Sequence, residues 1–288
     1  MADQTLAQAG ALKHSVARTS GVEVRGSSHA PNQKPQTATP AVFATPGALK
    51  PPEAQGGPAP QYTLGFKLGW RWRAASCWAH YALVGRSRGL PGLVDFVLGN
   101  QYFRAIQVPS ELAALGEILA DLRPERALEV GTAQGGTLLF LTRLASPHAT
   151  IVSVDLPGGK FGGGYSTRRQ WFYQRFARRR QRLHLLRGDS HSNEMLARVK
   201  EAFRGQPLDY LFIDGDHRYE GVKRDFEMYG PMVRKGGVIA FHDIVDGPSD
   251  AVGGVPRFWR EIKSNCRHAE IVRDPKQGGY GIGVLYVD

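Results

Sequence analysis

The sequence is poor in cysteine, with Cys77 and Cys266 as its only two. Two such distant cysteines build no disulfide framework and match no zinc-ligand spacing, so a reducing, cytoplasmic setting is expected. The N-terminal residues show no basic segment followed by an apolar run, so no secretory signal is predicted. No run of about 18 apolar residues occurs, and no membrane-spanning helix is predicted.

Several active-site motifs are also missing. Neither of the glycine patterns G-x-G-x-x-G and G-x-x-x-x-G-K-[ST], which bind phosphate, is present. Residues 188–192 read GDSHS and fail the serine-hydrolase pattern G-x-S-x-G at the last position. Arg218 stands where an EF-hand beginning at Asp214 needs its third ligand. The adjacent His242-Asp243 lacks the usual spacing of an iron oxygenase.

Positive charge is present in excess but is distributed unevenly. The formal net charge is +11, and residues 61–108 hold six basic residues against one acidic residue. Since this segment also contains Trp70, Trp72, Trp78 and Tyr81, it could bind nucleic acid or a membrane surface. The alternative is a helical appendage that packs its tryptophans on the main domain or on a second subunit. No nucleic-acid-binding motif accompanies the charges, which favours the appendage and makes a nucleic-acid partner the weaker interpretation.

Three segments are predicted. Residues 1–60 carry eight of the 18 prolines and a single aromatic residue, Phe43, so they are predicted to be a disordered tail. Residues 61–108 are predicted to be the basic aromatic helical appendage, a candidate contact for a homo-oligomer. Residues 109–288 are predicted to form one domain with its own core.

Strand-like and helix-like patterns alternate from residue 110 onward. This alternation predicts an α/β fold, a doubly wound, mostly parallel Rossmann-like sheet with helices on both faces. The final two strand-like segments flank Gly278-Gly279 with no helix between them, which predicts a C-terminal antiparallel hairpin. The predicted strands are 127–130, 150–154, 183–186, 209–213, 238–241, 269–272 and 281–287.

An acidic residue lies at or just beyond the end of five of these strands. The five are Glu129, Asp155, Asp189, Asp214 and Asp243. Any one of them could be a helix N-cap, but ligands of open α/β sheets bind at this carboxyl edge. Five acids there would repel a pyrophosphate and suit a ligand with ribose hydroxyls, an amine and a positive centre. S-adenosylmethionine fits this description better than NAD or ATP.

Three stretches in this order resemble a known family. Residues 128–137, LEVGTAQGGT, resemble the first motif of class I S-adenosylmethionine-dependent methyltransferases, and Asp155 falls where that family has the acid after its second strand. Residues 211–222 and 236–243 look like the subgroup of macrocin-type and rhamnosyl O-methyltransferases and proteins labelled cephalosporin hydroxylase. The resemblance covers about residues 105–288.

The resemblance implies a set of cofactor-binding residues. Glu129 would lie near the ammonium of the cofactor, Gly131 would let the backbone approach its methionine portion, and Asp155 would accept hydrogen bonds from the ribose hydroxyls. Asp189 and Ser190 would lie beside the adenine. The implied set is Glu129, Gly131, Gly135, Asp155, Asp189 and Ser190.

The resemblance also implies a divalent metal, which would hold the acceptor hydroxyl and lower its pKa. Its ligands would be Asp214, His242 and Asp243. Related enzymes have two carboxylates where this chain has His242-Asp243, and imidazole suits Mg²⁺ less well than it suits other divalent ions. His242 or His217 could instead be a general base. Either histidine could also be a buried structural residue. The predicted catalytic residues are therefore His217, His242 and Asp214.

Residues 156–188 hold nine basic residues and no acid. They are interpreted either as a lid that recognises an anionic acceptor or as a solvated helix face. The predicted function is O-methyl transfer from S-adenosylmethionine to a hydroxyl of a sugar, a glycan or a secondary metabolite. Two alternatives remain open: an RNA or protein methyltransferase, and a non-catalytic cofactor-binding scaffold.

Overall fold

The computed structural model describes residues 23–26, 89–100, 102–158 and 164–288. Strands and helices alternate along the C-terminal part of the chain. The strands are β1 (Glu23–Gly26), β2 (Arg126–Val130), β3 (Thr150–Asp155), β4 (Arg182–Arg187), β5 (Leu208–Ile213), β6 (Val233–His242), β7 (Arg267–Val272) and β8 (Ile282–Tyr286). The helices are α1 (Gly89–Gly99), α2 (Pro109–Leu122), α3 (Gly136–Leu144), α4 (Thr167–Tyr173), α5 (Asn193–Ala202), α6 (Tyr219–Tyr229) and α7 (Val255–Lys263).

The strands form one sheet in the order β1-β7-β8-β6-β5-β2-β3-β4. Strands β2 to β6 are parallel, whereas β8 pairs antiparallel with both β6 and β7. The predicted mostly parallel, Rossmann-like sheet with a C-terminal antiparallel hairpin is confirmed. Because the parallel strands all point the same way, β2, β3, β4, β5 and β6 end at one edge.

Each face of the sheet has its own apolar core. Helices α1 to α4 cover one face, where Phe103 and Phe140 are fully buried. Helices α5 to α7 cover the other, where Phe241 and Trp259 are fully buried. Parallel strands buried on both faces read as continuous apolar runs, and β5 is buried at every position. No helix among the described residues is long and apolar enough to cross a membrane.

The predicted segment boundaries need two corrections. Residues 23–26 lie within the predicted disordered tail, yet they form β1, which pairs antiparallel with β7. The boundary predicted after residue 108 falls inside the core, because Leu93, Val97 and Phe103 pack with α2 and α3. The remainder of the predicted tail and residues 61–88 of the predicted appendage lie outside the described residues.

The helix within the basic segment of residues 156–188 is short. Helix α4 ends at Tyr173 and one 3₁₀ turn follows it, from Gln174 to Phe176. The side chain of Gln181 accepts a hydrogen bond from the Arg178 backbone N–H and donates to the carbonyls of Thr142 and Ser146. These bonds hold residues 178–181 as a turn on α3, so the helix cannot continue.

Candidate active site

A cavity of about 400 Å³ opens at the carboxyl edge of the sheet. It lies over the ends of β2, β3, β4 and β5, where the sequence places its acidic residues. Its volume falls within the range of small-molecule and cofactor sites. The lining residues are Val130, Gly131, Ala133, Val154, Asp155, Leu156, Gly158, Gly164, Gly188, Asp189, Ser190, His191, Asp214, Gly215, Asp216 and Arg218.

The two glycines predicted to bind the cofactor occupy different places. Gly131 lines the cavity with a φ of 97°, and a Cβ atom there would lie 1.9 Å from the carbonyl oxygen of Asp214. This glycine is therefore required by the close approach of the β2–α3 turn to the end of β5. Gly135 has a φ of 80° and packs against the ring of Tyr173, outside the cavity lining.

Three of the predicted cofactor residues form the cavity wall on the β3 and β4 side. Asp155 is 8% exposed, and its Oδ2 accepts a hydrogen bond from the Tyr165 backbone N–H. Burial raises the pKa of Asp155, and that hydrogen bond opposes the shift. Asp189 and Ser190 follow β4 and line the cavity beside it. With Asp214 and Asp216 on the opposite side, the lining is acidic and suits a cationic ligand.

Glu129 lies inside β2, beneath the cavity. Its side chain is buried, and its Oε2 accepts a hydrogen bond of 2.8 Å from the Ser153 hydroxyl. Its Oε1 has no hydrogen-bond partner among the described residues. Burial raises the pKa of Glu129 to about 8, so the carboxyl group is mostly protonated at neutral pH.

Two carboxylates and two imidazoles meet next to the cavity. Nε2 of His217 lies 3.3 Å from Oδ1 of Asp214, and its Nδ1 lies 3.4 Å from Oδ2 of Asp243. Nδ1 of His242 lies 3.3 Å from the same Asp214 oxygen and 3.4 Å from the same Asp243 oxygen. We call these four residues the acid–imidazole cluster.

The charges of the acid–imidazole cluster depend on one another. Burial alone would raise the pKa of Asp214, but His242 and His217 outweigh it and hold that pKa far below its ordinary value. Burial disfavours the charged form of His217, yet Asp214 and Asp243 raise its pKa to about 9. The same carboxylates raise the pKa of His242 well above its ordinary value. The cluster therefore pairs carboxylates with imidazolium ions at neutral pH.

The geometry differs from the predicted metal ligand set in one histidine. Among the described residues, the donors that lie within 4.8 Å of one another belong to Asp214, His217 and Asp243. His242, which the sequence analysis placed among the ligands, is 6% exposed and contacts both carboxylates from the interior. Asp243 has a left-handed backbone, with a φ of 62°. Asp243 contacts both imidazoles of the cluster, so His242 stays a predicted ligand and His217 is a second candidate.

The loop between β7 and β8 fixes Asp243. The backbone N–H of Tyr280 donates a hydrogen bond of 3.0 Å to Asp243 Oδ1. Glu111, which is fully buried in α2, accepts hydrogen bonds from the N–H groups of Arg273 and Gly281 in this loop. Sequence analysis missed this support, because Glu111 reads as an ordinary first-turn helix acid.

The basic segment before β4 is attached to the domain by its aromatic residues. Phe172, Tyr173 and Phe176 are buried in the core, whereas Trp171 is 47% exposed. The guanidinium of Arg175 lies 3.3 Å from the centre of the Trp171 ring. The predicted lid stays a prediction, since residues 159–163 lie outside the described residues.

The central part of the chain matches a known protein family. Residues 128–244 match the family described as "Methyltransferase domain". A stretch of 39 residues is 54% identical to an uncharacterised protein of Acanthamoeba polyphaga mimivirus, and it spans 14% of this chain and 18% of that protein.

Two solved structures resemble this chain at low sequence identity. An O-methyltransferase from Bacillus cereus, in complex with SAH, is 18% identical over 73% of this chain and 90% of its own, with a TM-score of 0.49. TomG from Streptomyces achromogenes, involved in tomaymycin synthesis and in complex with SAM, is 17% identical over 76% and 98% of the two chains, with a TM-score of 0.47.

The matched family segment runs from β2 to the residue after Asp243. It therefore contains every residue of the cavity lining and all four members of the acid–imidazole cluster. The acidic cavity also has the charge that a sulfonium cofactor requires. Residues 128–244, which hold the cavity lining and the acid–imidazole cluster, thus match a methyltransferase domain.

Proposed function

We propose that this protein is an S-adenosylmethionine-dependent methyltransferase, that it transfers the methyl group to a hydroxyl of a sugar, a glycan or a secondary metabolite, and that a divalent metal ion assists it. The observation that carries the proposal is the acid–imidazole cluster beside the cavity. Asp214 belongs to both, since it lines the cavity and contributes to the cluster. A hydroxyl held at the cluster would thus lie next to a cofactor in the cavity.

The described residues fit the cofactor. Asp155 offers a carboxylate at the cavity wall, where ribose hydroxyls could donate to it. Oε1 of Glu129 is a buried polar atom without a hydrogen-bond partner among the described residues, and an ammonium group beside it would favour the ionised form of the carboxyl group that is protonated in the free protein. Among the described residues, which leave out 159–163, the lining has no lysine, and its arginine, Arg218, is paired with Asp216. Such a lining disfavours phosphate and favours a cation.

The acid–imidazole cluster likewise fits a metal ion. Asp214, His217 and Asp243 provide two carboxylate oxygens and one imidazole nitrogen, a mixed donor set that suits Mn²⁺ or Co²⁺ at least as well as Mg²⁺. In the free protein, the imidazolium ions compensate the two carboxylates. A metal ion would take over that role, because ligands must lose their protons to bind it.

The metal ion, the cofactor and the residues of the acid–imidazole cluster would contribute differently to methyl transfer. When bound, the metal ion would lower the pKa of an acceptor hydroxyl, and S-adenosylmethionine would supply an electrophilic methyl group. Asp214 and Asp243 hold negative charge at the site, and Tyr280 keeps Asp243 in place through its backbone N–H. His217 is protonated in the free protein, which makes it a poor general base at neutral pH, and as a metal ligand it would have no free lone pair on the coordinating nitrogen.

Two features of the sequence indicate the class of the acceptor. The family resemblance of residues 211–222 and 236–243 is the argument for a sugar hydroxyl. The basic segment before β4 would favour an acceptor that carries negative charge.

In the test, the protein is incubated with S-adenosylmethionine and with fractions of a cell extract, which supply the acceptors. The release of S-adenosylhomocysteine is measured. EDTA should abolish turnover and leave S-adenosylhomocysteine binding intact, and Mn²⁺ or Co²⁺ should restore turnover at least as well as Mg²⁺. Asp214→Asn and Asp243→Asn should each reproduce the EDTA-treated enzyme, while Asp246→Asn, on the exposed surface, serves as control.

Two results would contradict the proposal. Full activity in a metal-free preparation would exclude the ion. If activity in that preparation fell as the pH dropped, a histidine base would replace the metal. Absence of S-adenosylhomocysteine release with every extract fraction would favour a non-catalytic scaffold.

A further inference from the structure

Tyr280 lies beside the acid–imidazole cluster, in the loop between β7 and β8. Strand β8 begins opposite the end of β6, since Ile282 pairs with His242. The loop therefore lies at the same edge of the sheet as the cavity. Along this edge, the cavity over β4, β3, β2 and β5 comes first, the cluster at β5 and β6 comes next, and Tyr280 follows.

The ring of Tyr280 is open to solvent, although it stands next to a buried residue. Tyr280 is 37% exposed, whereas His242 is 6% exposed. The centres of the two rings lie 6.0 Å apart in an edge-to-face arrangement. A single exposed aromatic residue is common on protein surfaces, so the exposure alone indicates no role. The backbone of Tyr280 supplies the second observation.

The backbone at Tyr280 favours glycine rather than tyrosine. Its φ is 59°, and Gly278, Gly279 and Gly281 beside it have φ values of 74°, 118° and 80°. Tyr280 is thus the one residue with a side chain in a run of four residues with positive φ. A bulky side chain is disfavoured in this conformation. Outliers of this kind cluster at ligand sites, so the ring is a candidate for binding a ligand.

Hydrogen bonds hold the loop around Tyr280 in one conformation. The backbone N–H of Tyr280 donates to Asp243 Oδ1 at 3.0 Å, and its carbonyl accepts a hydrogen bond of 3.0 Å from the Val245 backbone N–H. The side-chain amide of Gln277 donates to Glu111 Oε1 at 2.8 Å. The ring is therefore presented by a fixed backbone, as a preorganised binding site requires.

The order of these features brings the body of an acceptor towards Tyr280. In methyl transfer, the acceptor oxygen attacks the methyl group from the side opposite the sulfur, so this oxygen lies between the cofactor and the rest of the acceptor. Asp214 belongs to the cavity and to the cluster, and Asp243 connects the cluster with the loop of Tyr280. An acceptor whose hydroxyl is held at the cluster thus extends away from the cofactor, towards the exposed ring.

We propose that Tyr280 is the platform on which the sugar ring of the acceptor packs, and that it selects acceptors whose hydroxyl is carried by such a ring. This inference rests on the proposed function, because it requires a hydroxyl held at the acid–imidazole cluster. The face of an aromatic ring is partly negative and attracts the C–H groups on the apolar face of a sugar. Tyrosine makes this contact at a low cost in side-chain entropy, since it has only two side-chain torsions.

The experiment varies the amount of the most active extract fraction and measures S-adenosylhomocysteine release by wild-type protein, Tyr280→Asn and Tyr280→Phe. Asparagine tolerates a left-handed backbone, so Tyr280→Asn removes the ring and keeps the loop. This variant should need about 10-fold more of the fraction for half-maximal release, because the ring contact and its buried area are lost. Tyr280→Phe should stay within about twofold of wild type, because the platform needs the ring and not the hydroxyl.

Further measurements separate a platform from a purely structural role. Tyr280→Asn should keep the wild-type affinity for S-adenosylhomocysteine and for Mn²⁺ in calorimetry, and its melting temperature should not fall. Arg204→Asn changes another exposed residue with a left-handed backbone, with a φ of 53°, and should leave all these values unchanged. After transfer from methyl-labelled S-adenosylmethionine, acid hydrolysis of the product should release the label in an O-methyl monosaccharide.

The outcomes separate the inference from the proposed function. If wild-type protein releases S-adenosylhomocysteine but Tyr280→Asn needs no more of the fraction, the platform is refuted and the proposed function stands. The platform is also refuted if Tyr280→Phe is impaired as strongly as Tyr280→Asn, if Tyr280→Asn loses affinity for Mn²⁺, or if the label is found outside a sugar. If wild-type protein releases S-adenosylhomocysteine with no fraction, both fail.

Discussion

Replacement of Glu129 by glutamine should change how the stability of the protein depends on pH. The pKa of this carboxyl group rises from 4.5 to about 8 on burial. Because the folded state binds the proton more tightly than the unfolded state, the stabilising contribution is complete below the unfolded pKa and is lost as pH rises through the folded pKa.

The magnitude follows from the size of this shift. One pKa unit corresponds to about 1.36 kcal/mol. Between pH 5 and pH 8, the free energy of unfolding of the cofactor-free wild-type protein should therefore fall by about 3–4 kcal/mol relative to that of Glu129→Gln. Glutamine keeps the shape and the acceptor oxygen but does not titrate, so it removes only this contribution.

Urea unfolding at several pH values between 5 and 8 measures both proteins under the same conditions. The histidines of the acid–imidazole cluster titrate in both proteins, so the difference between the two curves isolates Glu129. Parallel curves over the whole range would show that Glu129 is ionised in the folded protein, and the protonated buried carboxyl would have to be abandoned.

Three further predictions follow. Gly131→Ala should destabilise the protein by about 4 kcal/mol or more in urea unfolding, because its Cβ meets the Asp214 carbonyl. Gly158→Ala, whose Cβ would have no described residue within 4 Å, should cost about 1 kcal/mol. Asp155→Ala should weaken S-adenosylhomocysteine binding by about 1.5–3 kcal/mol in calorimetry. Deletion of residues 1–26 should lower the melting temperature by about 2–4 °C relative to deletion of residues 1–22, because only the longer deletion removes β1.

Each of these predictions has a result that would contradict it. Equal destabilisation by the two alanine variants would show that φ alone, not the contact, makes Gly131 necessary. An unchanged dissociation constant for a folded Asp155→Ala would remove this carboxylate from the cofactor site. Equal melting temperatures for the two deletions would mean that β1 contributes nothing to stability.

The strands from β2 to β8 were predictable because each is a short apolar run between clear helix or turn signals. The acids at their ends were predictable for the same reason, since parallel strands bring their carboxyl ends to one edge. β1 was not predictable: four residues, EVRG, carry no pattern of their own and are ordered by pairing with β7.

The convergence of both histidines on Asp214 and Asp243 was harder to predict. In an extended strand, His242 and Asp243 point to opposite sides, and only the left-handed backbone of Asp243 alters this. Tyr280 was visible only as part of a glycine-rich turn. Its place beside His242 becomes apparent only when β8 pairs with β6.

The position of β8 limits how much of the sheet can form while the chain is still being synthesised. Strand β8 is synthesised after β6 and β7, yet it lies between them in the sheet. A nascent chain that has not yet reached Ile282 leaves the edge of β6 unpaired and exposes a template for wrong strand pairing. It also lacks the N–H of Gly281 that anchors the loop on Glu111. The cofactor cavity, built from residues 130–218, can thus form during synthesis before the acid–imidazole cluster is complete, and early ligand binding would stabilise the growing chain.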